Sequence, residues 1–135
     1  MIQSQLREFI AHVGRTQRIT SEDVGHLADL MLEDGLRSRE EAEALLALDR
    51  TVPAETGWAD LLKALVVDFV VWGARPTGFV TRDDAVWLAT ALDVDAPTAR
   101  ALRIAEAVAD EAEQVDESLV TFILRERQSV RTLAA

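Results

Sequence analysis

Helix breakers are scarce in this chain. Six glycines and three prolines (Pro53, Pro76, Pro97) interrupt it, and between them apolar residues recur every three or four positions. No stretch alternates apolar and polar residues in sustained fashion, and no Asn-Gly hairpin occurs. Such a chain buries its apolar stripes by packing helix on helix, so an all-α fold of about seven helices is expected. The spacing predicts helices over 2–13, 21–33, 39–49, 58–72, 82–92, about 97–115 and about 117–130, with loops at 50–57 and 73–78. The first turns Leu6, Phe9, Ile10 and Val13 to one face and stops at Gly14. The second buries Val24, Leu27, Leu30 and Met31 and ends at Gly35; the third buries Leu45, Leu46 and Leu48. The fourth is apolar on most sides and is expected to be the buried central helix. Pro97 suits the first turn of the sixth. The seventh presents Leu119, Val120, Ile123, Leu124 and Arg127, with Asp116 as its cap.

The start signals agree with this division. Thr20, Ser38 and Thr81 stand where N-caps are needed, and Asp23, Glu41 and Asp84 follow three residues later, as in a capping box. Residues 19–28 also echo residues 80–89 at an offset of 61, with Thr, Asp, Leu and Ala shared at four of ten positions. Each copy, 19–49 and 80–110, is a capped helix, a short loop and a second helix opened by Ser38 or Thr98. A duplicated helix pair with a pseudo-two-fold would produce this echo. So would the common demands of capping two amphipathic helices. At 135 residues the chain is one domain's worth.

Composition excludes several classes. Without cysteine there is no disulfide, thiolate metal site or Cys nucleophile. Two histidines, His12 and His26, are too few for a three-His metal site. Lys and Arg total 14 against 24 Asp and Glu, a net charge of −10, which argues against nucleic acid and anionic membrane surfaces as partners. The acids concentrate in 20–60 (eleven against three bases) and 79–117 (ten against three). The N-terminus lacks a basic segment followed by an apolar one, and Asp68 interrupts the longest apolar run, so a cytoplasmic protein without direct membrane insertion is expected.

Three acidic constellations could carry chemistry. Glu33 and Asp34 fall at the predicted C-terminus of the second helix, where the dipole disfavours anions, and Glu40 and Glu41 open the next helix. A nearby cation would relieve that mismatch, and hard cations such as Ca²⁺ or Mg²⁺ take converging oxygens. Asp83, Asp84, Asp93 and Asp95 form the counterpart, with Asp95 also able to cap the sixth helix. Asp68 shares a helical face with Leu61, Leu65 and Trp72, so burial would demand a partner such as Arg18, Arg75 or a backbone amide. An EF-hand register on Gly78, Val80 and Asp84 fails, because Gly73 and Arg75 would occupy ligand positions. Nucleophile-elbow and phosphate-loop motifs are absent. His26 is expected to be a plain surface or boundary residue. Trp58, Trp72 and Trp87 are expected to serve the core or a groove rather than a base-stacking platform.

The stretch Asp34-Gly35-Leu36-Arg37-Ser38-Arg39-Glu40-Glu41 resembles the short acidic Asp-Gly signature of the TerB-like tellurite-resistance family. The resemblance implies an all-helical fold of around seven helices with paired repeats, and divalent-cation binding by acids near helix junctions. Carried over by position, those acids are Glu33, Asp34 and Glu41, and through the repeat Asp84 and Asp95. The second copy departs from the pattern, since Asp93-Val94-Asp95-Ala96-Pro97 stands where an Asp-Gly would be. The resulting expectation is a non-enzymatic domain in a tellurite or stress-response context that binds Ca²⁺ or Mg²⁺ weakly. The alternative is a metal-free module whose acidic faces steer a basic or amphipathic protein partner onto an apolar groove near Trp58 or Trp87.

Overall fold

The computed structural model describes residues 2–73, 76–94 and 99–134. Arg75, Asp95, Pro97 and Thr98, invoked above, lie outside them. The described residues are predominantly helical, as expected, and divide into two compact units, residues 1–66 and 67–135.

In the first unit, α1 (Ser4–Thr16) packs on α2 (Ser21–Leu30) and α3 (Arg39–Thr51), and α4 (Trp58–Val67) follows. Leu6, Phe9 and Val13 of α1, Leu27 of α2, and Ala42, Leu45, Leu46 and Leu48 of α3 are buried, as are Trp58, Leu62 and Leu65 of α4. Thr20 and Asp23 close a reciprocal capping box at the start of α2. The Thr20 side chain accepts the Asp23 N–H (3.1 Å), and the Asp23 carboxylate accepts the Thr20 N–H (2.9 Å). Ser38 caps α3 by accepting the Glu41 N–H at 3.2 Å. A single parallel bridge joins Ile19 to Ala54, with Ile19 bonded to both Pro53 and Glu55.

Two boundaries differ from expectation here. α1 does not stop at Gly14 but runs through it; Gln17 takes the left-handed conformation (φ 60°), and its N–H returns to the Val13 carbonyl. α2 ends at Leu30, three residues early. Leu32 bonds back to Asp29 in a tighter turn, and Gly35 supplies the left-handed residue (φ 63°) that reverses the chain. Helical spacing of apolar residues persists through such a turn, which is why the pattern overran.

In the second unit a π-helical turn, Asp68–Trp72, follows α4 directly. Then come β1 (Phe79–Val80), α5 (Arg82–Leu92), α6 (Ala99–Glu111), β2 (Gln114–Val115) and α7 (Glu117–Ala134). α5, α6 and α7 pack on one another, and α6 also meets the π turn. Leu88, Leu92, Leu102, Ile104, Val108, Leu119, Phe122 and Ile123 are buried there. β1 and β2 pair in parallel, with Phe79 opposite Gln114 and Val80 opposite Val115. This tiny sheet ends α6 at Glu111 rather than at Val115, because the chain turns to bond Glu113 N–H to the Gly78 carbonyl at 2.7 Å. Asp116 caps α7 as expected, accepting the Ser118 N–H at 3.0 Å. The Ser118 hydroxyl and amide hold its carboxyl below the ordinary value.

Two burial expectations are overturned in this unit. Asp68 is exposed, so it is neither a buried tether nor a buried site carboxylate. The stripe that α4 buries is Trp58, Leu62, Leu65 and Val66, with Leu61 only half-buried, so Asp68 falls outside it; its carbonyl accepts the Gly73 N–H at 2.8 Å in the π turn that follows. α7 buries Leu119, Phe122, Ile123 and Glu126, whereas Val120, Leu124 and Arg127 face solvent. Both stripes have helical spacing, and packing against α5 and α6 selects the one carrying Phe122.

Candidate functional site

Among the described residues, the acids singled out in the sequence do not gather into a chelate. Glu33 and Asp34 are exposed in the turn after α2. The cation that relieves Asp34 comes from the chain itself, since the Arg37 guanidinium donates to its carboxylate. Glu41 is only 1% exposed. One of its oxygens accepts the Arg37 N–H and the other the Gln3 N–H, both at 2.8 Å. It therefore pins the residue before α1 and the residue before the Ser38 cap to the start of α3. Asp84 sits half-buried in the first turn of α5 and is bonded to Thr81, whose hydroxyl donates to it at 3.1 Å. Asp95 lies outside the described residues. Among the described residues no group of three or more His, Asp or Glu side chains is placed to hold a metal ion.

The groove expected near a tryptophan does not involve Trp58. Trp58 is buried, and its Nε1–H donates to the equally buried Asp49 carboxylate at 3.1 Å. Trp87 is half-buried and meets Phe69 edge-on, with ring centroids 5.9 Å apart. Trp72 is exposed.

Two open concavities occur in the first unit. One, of about 580 Å³, lies at the start of α1 and α3 and is lined by Ile2, Gln3, Ser4, Arg7, Arg37 and Ser38, with Glu41 at its base. Both of its guanidiniums are occupied: Arg7 donates to the Ile2 carbonyl (3.0 Å) and Arg37 to Asp34.

The other, of about 320 Å³, lies along the α1–α2 seam. α1 contributes Glu8, Phe9 and His12; α2 contributes Glu22, Asp23 and His26. Glu8 precedes His12 by one helical turn, and Glu22 precedes His26 likewise, so each helix turns an acid and an imidazole to one side. Phe9 is buried, and its ring stacks on that of His26 at 6.5 Å and 26°. His12 Nε2 stands 3.3 Å from Asp23. Burial pushes the Asp23 carboxyl up, but its two bonds with Thr20 and the neighbouring His12 together bring it below the ordinary value. Glu8 and Glu22 are exposed and have no ion-pair partner among the described residues. No lysine or arginine lines the cleft.

No protein-family model, curated protein or solved structure matches this chain. The α1–α2 cleft was not singled out in the sequence. Its signal was there, in two Glu–His pairs at helical spacing on successive helices, but spacing does not say that the two faces meet.

Proposed function

We propose that this chain is a non-enzymatic, all-helical module that docks a basic protein segment. One observation supports the reading: among the described residues, the acids named for a chelate are engaged by the chain itself or exposed one by one. Asp34 is neutralised by Arg37, Glu41 is used up on two backbone amides, and Glu33 faces water. What remains of the −10 charge is a surface field, which steers and orients a cationic partner. The weak Ca²⁺ or Mg²⁺ site has less behind it, since hard cations need several free oxygens at one point. Among the described residues no helix is long and apolar enough to cross a membrane.

Calorimetric titration separates the two readings. An octa-arginine peptide should give saturable heat at low salt, with affinity falling as salt is raised. Calcium and magnesium at millimolar concentration should give none. Saturable calcium binding that vanishes in Asp34→Asn, with no response to the peptide, would overturn the docking reading.

A further inference from the structure

Among the described residues, the large apolar side chains left exposed are Leu32, Trp72, Val86, Val94, Val120 and Leu124. Leu32 and Val94 follow helix ends, Trp72 closes the π turn, and Val86 stands alone on α5, as single surface residues commonly do. Val120 and Leu124 differ. They lie one turn apart on α7, 41% and 58% exposed, outside the stripe of Leu119, Phe122, Ile123 and Glu126 that the helix buries. Glu117 precedes Val120 by three residues and Arg127 follows Leu124 by three, so the four share one face at spacings of three and four. Both end residues are exposed. Glu117 has no ion-pair partner among the described residues, and Arg127 engages Glu106 through Nε and Nη2.

We propose that this face pairs two copies of the chain, α7 against α7, antiparallel about a two-fold axis. An antiparallel pair centred between Val120 and Leu124 sets Val120 opposite the partner's Leu124 and Glu117 opposite the partner's Arg127. The two-fold makes each contact twice, so the face is complementary to itself: two apolar layers closed by an ion pair at either end. Charge also selects a second copy and this helix. The chain carries −10 overall, so two copies repel across the acidic segments 20–60 and 79–117. Residues 118–135 hold three arginines against one glutamate, and there that repulsion is weakest. The same excess of arginine makes α7 a poor seat for a basic segment, so the pairing stands apart from the docking reading above. Two apolar layers are a small contact, and the pair is weak and reversible.

The test is sedimentation equilibrium of the full chain from about 10 µM to about 1 mM, at about 0.15 M salt. The average mass should rise from monomer toward dimer, with a dissociation constant on the order of 100 µM. Leu124→Glu should weaken pairing by about tenfold or more, because it sets a carboxylate in an apolar layer. Leu32→Glu adds the same charge at a position 80% exposed outside α7, and should change pairing by less than about twofold. Glu117→Arg lowers the overall repulsion yet should weaken pairing by about threefold, because it faces the partner's Arg127. Adding Arg127→Glu should restore it to within about twofold of the parent. Circular dichroism checks that each variant is folded. Should Arg127→Glu unsettle α7 by losing Glu106, the two leucine variants still decide. A parent that stays monomeric to about 1 mM would overturn the proposal, as would equal weakening by Leu124→Glu and Leu32→Glu. A folded double variant that fails to recover would overturn the antiparallel register.

Discussion

Each unit holds a capped helix pair flanked by a parallel bridge, α2–α3 in the first and α5–α6 in the second, with different chemistry inside. The offset that takes Thr20 to Thr81 also takes Ile19 to Val80 and Ala54 to Val115, so a parallel bridge flanks the helix pair in each. The aromatic contact before the cap recurs too, as Phe9 with His26 in the first unit and Phe69 with Trp87 in the second. Phe69 stands one residue further from its cap than Phe9 does, and the π turn takes up that extra residue. The interiors then diverge. Where the first unit buries Glu41, the second has buried Leu102. Where the first pairs Asp49 with Trp58, the second has an exposed Asp110 and a buried Leu119. Where the first opens a cleft edged by His12 and His26, Gly73 and Trp87 stand in the second. A bridge-flanked helix pair thus takes a polar filling in one unit and an apolar one in the other. The polar filling ties chain segments together.

Writing the second unit's residues into the first breaks the comparison most severely at Trp58. Trp58→Leu, after Leu119, should cost about 3–4 kcal/mol in urea unfolding, by leaving a cavity and removing the indole bond to Asp49. A loss under about 1 kcal/mol would mean the two fillings are interchangeable. Glu41→Leu, after Leu102, comes next at about 2–3 kcal/mol, because the Gln3 and Arg37 amides lose their acceptor. A neutral result would refute the pinning role.

A smaller effect concerns acid. Asp23 has a lowered folded pKa, so its contribution to stability is present above its unfolded value near 3.8 and is lost as pH falls through the folded value. In His12→Ala the contribution should be smaller and its loss complete at higher pH, as thermal unfolding across about pH 2–6 would reveal; coincident curves would remove His12 from the account. Smallest, Gly25→Ala should stabilise by about 0.5–1 kcal/mol. Gly25 lies inside α2 with no neighbour within 4 Å of an added Cβ, and Val86 already fills the matching place in α5.

Much of this comparison is legible in the sequence. The caps at Thr20, Ser38 and Thr81 are local, since a side chain one turn away satisfies a backbone amide, and all three N-caps form, but the reciprocal box closes at Thr20–Asp23, whereas the Glu41 carboxylate goes to the Gln3 and Arg37 amides instead. The two-residue strands are not legible, because a pair of residues shows no alternation. α7 has two stripes of equal spacing, and only its neighbours choose between Phe122 and Leu124. Asp68 is misread because α4 is apolar on most sides, and only packing chooses the face with Trp58, Leu62 and Val66 over the one with Leu61 and Asp68. Glu41 is correctly singled out as special, but for the wrong reason: a carboxylate beside a helix start signals a ligand or a backbone clamp equally well, and the partner that decides, Gln3, is remote in sequence.

The central claim is that the acidic surface docks a basic segment. Amide NMR of the ¹⁵N-labelled chain titrated with octa-arginine tests it most directly. The account predicts shifts that saturate together at low salt and shrink as salt is raised. No saturating shifts at low salt would contradict it.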